Sequence, residues 1–573
     1  MSKFILFSTL IILTSCSSRQ NAATGSSDTT GRKWWKEAVV YQLYPRSFKD
    51  SDGDGIGDLK GIISKLDYIS SLGVDVVWLN PIYSSPNDDN GYDISDYRNI
   101  MKDFGTMADF DTLLLEMHKR KIRLVMDLVV NHSSDEHLWF QQSRSSRTSP
   151  YRNYYHWWNG ERGKPTPRWS FFDINSDAWK YDSLTKAYYL HYFSRKQPDL
   201  NWENPQLRRE VYDIMKFWLD KGIDGFRMDA FQFVAKDTSW PVFPKGYESN
   251  IIKYYGMGPH LHEYLQEMNR EVISKYDVMT VAEGAGSTLK DAMDLVDPAR
   301  HELNMAYHFE GMDVGNQPNY SLLDFKKVYS KWDSAMAEKG WVSIFLGNHD
   351  QPRMVSHWGD DSPAFRELSS KMLTTFVLTM RGTPYCYYGD ELGMSNIRFD
   401  RIGDYRDIAT INRFKHLVGE GGDTTAFLEE QKRTSRDNGR TPFQWDNAPN
   451  AGFTTGTPWI RVHPDYPAVN AAAQEKDPGS VLNYFRKMVR LRKDNQVLVY
   501  GKYTLLDKYN PDVYAYTREW DGRRLLVLLN FKGTTASVKT DIDLGKAKIL
   551  LGNYPAPSGD GNLRPYEAVI YEL

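Results

Sequence analysis

The sequence predicts an α/β protein: a barrel of eight parallel strands, (β/α)8, with a domain inserted into it and an antiparallel β-domain behind it. Three observations lead there. Short Val/Ile-rich runs alternate with longer helix-like segments from about Trp34 to about Asn495, several of those runs end in charged residues, and from about Tyr500 the helix signals give way to alternating strands. The eight strands fall near residues 39–44, 74–79, 123–128, 225–229, 278–283, 303–309, 342–347 and 384–388. Between the third and fourth, residues 133–196 make an excursion too long for a loop. Trp139, Trp157, Trp158, Trp169 and Trp179 crowd it, and most of them read as the core of a small inserted domain. The chain then divides into 1–15, 16–33, a barrel of 34–132 with 197–497, the insertion 133–196, and the β-domain 498–573.

The first fifteen residues read as a signal peptide. Lys3 precedes an apolar run over 4–13, far short of the roughly 20 residues that cross a bilayer. Leu13-Thr14-Ser15-Cys16 resembles the bacterial lipobox, in which cleavage precedes a cysteine that is then acylated; a plain secretory signal is the alternative. Cys16 is thus the expected lipidation site, residues 16–33 a polar tether, and the bacterial cell envelope, on the periplasmic or outer face of the outer membrane, the expected location. With Cys16 acylated, Cys386 has no disulfide partner and reads as a buried small hydrophobe. A net charge of −3 carries no basic excess, which excludes electrostatic capture of nucleic acid and leaves the lipid anchor as the only membrane contact.

In Gly225-Phe226-Arg227-Met228-Asp229 an extended chain places Arg227 and Asp229 on one face. The guanidinium is expected to lower the Asp229 pKa and keep it ionised as a nucleophile, although the pair alone also reads as a strand-ending salt bridge. Three more runs end in charge: Asp127-Leu128-Val129-Val130-Asn131-His132, Val281-Ala282-Glu283, and Phe345-Leu346-Gly347-Asn348-His349-Asp350. In order and content these segments resemble those of the α-amylase superfamily, glycoside hydrolase family 13, whose members act on α-glucosidic bonds from the top of a TIM barrel. The likeness spans most of the chain. It implies that the insertion is the family's domain B and that the last segment is its C-terminal β-domain.

The resemblance assigns Asp229 as nucleophile, Glu283 as general acid and base, and Asp350 as a clamp on sugar hydroxyls that stabilises an oxocarbenium-like transition state. Glu283 lacks an adjacent arginine in sequence and follows an apolar run, so burial is expected to raise its pKa. The outcome would be retention, with the Asp229 and Glu283 carboxyls roughly 5–5.5 Å apart. His132, His349 and Arg227 would donate to sugar hydroxyls. Asn90-Gly91-Tyr92-Asp93-Ile94-Ser95-Asp96-Tyr97 and the segment from Ser435-Arg436-Asp437 to Trp445-Asp446 resemble the exo-acting branch, the α-glucosidases and oligo-1,6-glucosidases. There Asp93 and Arg436 would close the pocket over the terminal glucose, with Tyr92 either stacking on that ring or packing. Gln197-Pro198-Asp199-Leu200-Asn201-Trp202 classifies the chain in the same branch.

Linkage preference rests on the residue after the nucleophile, Ala230. Relatives preferring α-1,6 bonds usually carry valine there, so the expectation leans to α-1,4, a bias of only ~1–3 kcal/mol. The expected activity is therefore a retaining exo-acting α-glucosidase on short malto- or isomalto-oligosaccharides. Oligo-1,6-glucosidase, and a glucosyl transferase or isomerase of the trehalose synthase or sucrose isomerase kind, are the alternatives. Intact carboxylates speak against a glycan-binding lipoprotein without catalysis. Ala282 and Gly439 depart from the glycine and the alanine or serine expected beside the catalytic positions.

Asp50-Ser51-Asp52-Gly53-Asp54-Gly55-Ile56-Gly57-Asp58 sets carboxylates on alternate residues of a glycine-rich loop. Its twelfth position is Gly61, not glutamate, so it is no EF-hand. The matching loop of relatives binds a structural Ca2+, which implies Asp50, Asp52, Asp54, Asp58 and the Ile56 carbonyl as ligands; a metal-free acidic turn is the alternative.

Overall fold

The computed structural model describes residues 31–161, 163–173, 177–315, 320–556, 558 and 561–573. The expected signal peptide and Cys16 lie outside the described residues. Eight parallel strands, Val40–Leu43, Val76–Leu79, Arg123–Val129, Gly225–Asp229, Met279–Ala282, Met305–Ala306, Ser343–Ile344 and Thr383–Tyr387, each pair with their neighbours in sequence, and the last pairs with the first. A parallel bridge between Ala306 and Val342 closes the ring. The sixth and seventh strands are much shorter than the sequence predicts; beyond Ile344 the chain runs on to His349 and Asp350 in the pocket lining.

Local chemistry places the fourth strand. Helix Pro205–Lys221 starts with Asn204 accepting the Gln206 N–H and with proline in the first turn, and it ends at Gly222 in the left-handed region. Leu207, Val211, Ile214, Met215 and Trp218 recur at helical spacing and are buried. The chain then enters Gly225–Asp229, where a Cβ on Gly225 would lie 2.0 Å from the Met279 carbonyl oxygen. Only glycine lets the fourth strand approach the fifth so closely, and that approach sets Asp229 beside Glu283.

Domain B is a three-stranded antiparallel sheet of Trp157–Trp158, Ala187–Leu190 and Trp179–Asp182. Trp179, Leu190 and Tyr192 pack with Phe233 and Tyr255 of the barrel loops, so the tryptophans are largely core, as expected. Bridges from His132 to Asp199 and from Tyr155 to Leu200 stitch the returning chain onto the barrel.

The C-terminal sheet runs Lys502–Leu506, Val513–Trp520, Arg523–Asn530, Ala568–Glu572, Lys548–Gly552. The boundary expected at 498 falls inside helix Gln496–Tyr500, so the β-domain begins after it. The expected tether boundary also moves: Arg32 already pairs with Glu37, and the Lys33 N–H donates to Tyr500 Oη. Cys386 is buried and free. No described helix is long and apolar enough to cross a membrane.

Two buried arginines lock the domains together through carbonyl oxygens. Arg492 donates to Leu378, Met380, Gly382 and Leu498, and Arg518 to Thr379, Leu498, Val499 and Gly501. Leu378, Thr379, Leu498 and Val499 are carbonyls in the last turns of helices Arg366–Thr379 and Gln496–Tyr500, and Met380, Gly382 and Gly501 follow just beyond them. Burial draws Arg492 down to about 9 and Arg518 down to about 10, so both stay charged at neutral pH. Arg518→Met should lower the unfolding free energy by about 2–4 kcal/mol, because it leaves buried carbonyls without donors. Scanning calorimetry reads the shift, and an unchanged midpoint would show that the carbonyls find other partners.

Candidate active site

The carboxyl ends of the barrel strands converge on a cavity of about 80 Å³ lined by Asp89, Tyr92, His132, Phe172, Phe193, Asp229, Ala230, Glu283, His349, Asp350 and Arg436. A larger groove of about 630 Å³ runs between Tyr151 and Glu210, but no cation is among its lining residues. The small pocket, by contrast, is built around two guanidinium groups.

Arg227, fully buried, is the first. Its Nη1 lies 2.5 Å from Asp229 Oδ1 and 2.7 Å from Asp127 Oδ1, while Nη2 grips Glu283 Oε1. The second Glu283 oxygen accepts the Ala230 N–H at 2.8 Å. Ala230 holds φ 44°, a left-handed conformation that costs energy for alanine and turns its N–H toward Glu283. The sequence reading gave Arg227 to Asp229 and left Glu283 without an arginine. The fold shares that arginine among three carboxylates.

Sharing reverses the expected pKa direction of Asp229. Burial raises it and Arg227 lowers it, while Glu283 and Asp127 raise it further, and the net direction is well above the ordinary carboxylate value. Burial likewise lifts Asp127 to about 6, although Arg227 and the Trp78 N–H oppose it. One guanidinium shared among three carboxylates offsets burial only in part, which is why Asp127 and Asp229 both move upward.

Arg436 is the second hub. It contacts Asp407 Oδ1 at 2.5 Å, Asp350 Oδ1 at 3.0 Å and Asp89 Oδ1 at 3.4 Å, and its guanidinium lies 5.0 Å from the Phe172 ring centroid. Arg440 adds a 3.1 Å contact to Asp350. Against the burial that would raise it, the charges around it, the Arg436 and Arg440 guanidinium groups among them, hold Asp350 well below the usual carboxylate range. Asp89, more weakly paired, is pushed up to about 7 by burial.

The pocket carboxylate is Asp89, not the expected Asp93. Tyr92 N–H donates to the Asp89 carbonyl at 3.0 Å, and Asn90 and Gly91 between them have φ 49° and 98°, a type I′ turn that sets Asp89 and Tyr92 side by side. Asp93 lies outside the lining and braces that turn, accepting Ser85 Oγ and the Asp88 and Asp89 N–H groups at 2.9–3.0 Å. The Asn-Gly pair was the signal in the sequence that could have found this. Asp407, Phe172 and Phe193 were also missed, since no local motif marks them.

Tyr92 stacks on His349, with centroids 5.2 Å apart and planes 7° apart, and its hydroxyl meets His349 Nε2 at 2.7 Å. Burial holds both His132 and His349 at about 3, hence neutral in use. A Cβ on Gly439 would lie 2.4 Å from the Gln351 carbonyl oxygen, which explains the glycine there. Nothing in the structure explains Ala282, a buried strand residue.

Asp50, Asp52 and Asp58 bring one carboxylate oxygen each within 4.8 Å of one another; Asp54 and Ile56 are not part of that group. Asp58 also caps helix Leu59–Ser64 through the Gly61 N–H. Asp54 accepts the Ile56 N–H at 2.7 Å, and burial and the neighbouring carboxylates raise its pKa.

A family model described as the α-amylase catalytic domain matches residues 42–501. The chain is 53% identical over 560 residues to an oligo-1,6-glucosidase of Parageobacillus thermoglucosidasius, covering 95% of this chain and 99% of that one. It is 48% identical over 558 residues to an oligo-1,6-glucosidase of Bacillus cereus, covering 95% and 100%. A crystal structure of a trehalulose synthase variant in complex with Tris superposes with a TM-score of 0.91 at 46% identity, covering 95% of this chain and all of that one.

Asp127→Asn removes one negative charge from the Arg227 cluster. Both limbs of the kcat/KM pH profile should move to lower pH, since Asp127 raises the Asp229 pKa. An unmoved profile would uncouple Asp127 from the pair. Asp89→Asn should lower kcat/KM at least about tenfold and abolish any limb near pH 7, as befits a pocket carboxylate paired with Arg436. A fall in stability without loss of affinity would return Asp89 to a structural role.

Proposed function

Since this chain belongs to the α-amylase superfamily, glycoside hydrolase family 13, in its α-glucosidase and oligo-1,6-glucosidase branch, we propose that it is a retaining exo-acting oligo-1,6-glucosidase releasing terminal glucose from short isomalto-oligosaccharides. The chain is a glycoside hydrolase. The expected lean to α-1,4 finds no support in the comparisons: the two relatives described above are named oligo-1,6-glucosidases although Ala230 stands beside the nucleophile here. The bias of one side chain, ~1–3 kcal/mol, is small beside the whole leaving-group site.

The observation that carries the reading is the grip of one guanidinium on both Asp229 and Glu283. Two carboxyls on adjacent nitrogens of one group stand close together, which supports the roughly 5–5.5 Å spacing of retaining enzymes over the roughly 6.5–9.5 Å that leaves room for water. Asp229 attacks the anomeric carbon as Glu283 gives its proton to the glycosidic oxygen, so the glycosidic bond breaks and a glucosyl ester forms. Glu283, now a base, takes a proton from water, whose oxygen displaces Asp229 and restores the α configuration. Asp350, held ionised in the same pocket lining, would stabilise the positive charge that develops on the ring. The Arg436 hub with Asp89 closes the back of the pocket, which supports exo action on short chains.

The similarity to a trehalulose synthase supports a second reading, an isomerase that returns the glucosyl group to a sugar hydroxyl instead of water. Incubation with isomaltose, maltose and sucrose, with products resolved by chromatography, separates these readings. Faster release of glucose from isomaltose is expected, faster maltose cleavage would restore the α-1,4 reading, and isomerised sucrose with little free glucose would favour the isomerase. Asp229→Asn should lower kcat about 10³-fold or more with thermal unfolding unchanged. Retained turnover would remove Asp229 as nucleophile.

The Asp50 loop suits a hard cation. Among the described residues no lysine or arginine pairs with Asp50, Asp52 or Asp58, whose oxygens converge. Bound Ca2+ would neutralise their repulsion, with Asp54 and the Ile56 carbonyl completing the shell as the resemblance implies. Chelation should lower the melting temperature while leaving the rate at low temperature nearly unchanged; no change in either would dismiss the metal. Acylation at Cys16, placing the enzyme on the cell envelope, would appear as incorporation of a labelled fatty acid that Cys16→Ala abolishes.

A further inference from the structure

Lys236 stands in the loop that follows strand Gly225–Asp229 and the 3-10 helix Phe231–Phe233, and its ammonium is wholly buried. A buried ammonium needs oxygen partners. It has two: Asp199 Oδ2 at 3.1 Å, on the segment returning from domain B, and Asn131 Oδ1 at 2.6 Å, just past the third barrel strand. An ammonium only donates, so the oxygen of Asn131 must face it, and the amide nitrogen is thereby turned the other way. That nitrogen lies 3.1 Å from His132 Nδ1.

An amide nitrogen also only donates, so Nδ1 must accept, and a neutral imidazole then carries its hydrogen on Nε2. There it meets the Tyr92 carbonyl at 3.2 Å. The Gln197 amide nitrogen lies at the same distance with one hydrogen given to Asp89. Its second hydrogen is the one donor this tautomer leaves without an acceptor, against two satisfied contacts, Asn131 to Nδ1 and Nε2–H to Tyr92. The opposite tautomer would point two donors at each other on the Nδ1 side. His132 lines the pocket. We infer that Lys236 is a positioning residue: by orienting Asn131 it holds His132 in the Nε2–H form, tied to the Tyr92 carbonyl, and so fixes the imidazole in one orientation at the pocket wall. This rests on the reading of that pocket as the glucosyl-binding site.

Nitrogen-15 NMR of the full chain with labelled histidine reads the tautomer directly, without substrate. Wild-type His132 is expected as Nε2–H. Asn131→Asp keeps an oxygen for Lys236 but sets a second one against Nδ1, so His132 should take a proton on Nδ1. The KM for p-nitrophenyl α-glucoside should then rise about tenfold, as for other changes behind a ligating histidine, with a smaller effect on kcat. Lys236→Met combined with Asp199→Asn removes both buried charges and frees Asn131; a mixture of the two tautomers is expected, with a KM between the other two. Wild-type His132 found as Nδ1–H, or Asn131→Asp folded with Nε2–H retained and KM unchanged, would overturn the inference. The aryl glucoside has neither an α-1,4 nor an α-1,6 bond between sugars, so failure of the linkage reading, seen with isomaltose, stays distinct from failure of this one.

Discussion

The pocket depends on a shortage of positive charge. Arg227 is the single buried cation among Asp127, Asp229 and Glu283, and each of its contacts is short. One guanidinium divided among three carboxylates offsets burial only in part, so Asp127 and Asp229 are both pushed above the usual carboxylate range. Glycosidic cleavage by two carboxyls needs one of the pair charged and the other protonated, and this sharing couples them. Asp127 belongs to this balance although it lies behind the pocket, anchored by the Trp78 N–H and by Arg227.

The opposite wall uses the same device with the balance reversed. Asp350, Asp89 and Asp407 face two cations, Arg436 and Arg440, and Asp350 is held ionised as a result. One pocket therefore contains carboxyls pushed in opposite directions by their surroundings. Arg227 is carried by a parallel strand with a glycine that permits close approach, and Arg436, on the short 3-10 helix Arg436–Asn438, meets Asp89 on a type I′ turn braced by Asp93.

Domain B does more than wall the cleft. Its returning segment brings Asp199 to Lys236 and Gln197 to Asp89, while Phe172 and Phe193 join the lining. The insertion and the barrel thus complete one polar network. The buried arginines at the C-terminal sheet tie the other end of the barrel through helix-end carbonyls, so the last domain braces the scaffold far from the chemistry.

The sequence by itself determined the barrel, since strand alternation and helix capping are local properties, and it named Asp229, Glu283, Asp350, His132, His349, Tyr92, Arg227 and Arg436, all of which meet in or directly behind one pocket. It also suggested which strands end in charge, because a residue's place along a strand follows from period two. What only the tertiary structure decided was who shares a charge with whom. Arg227 sits beside Asp229 in sequence, but its contacts with Asp127 and Glu283 come from neighbouring strands of the ring. Asp89 displaced Asp93 because the handedness of a two-residue turn, and not spacing along the chain, selects the carboxylate that faces the sugar site. Linkage preference was least legible: a single side chain is worth about a kilocalorie or two per mole, whereas the leaving-group site is assembled from several loops at once.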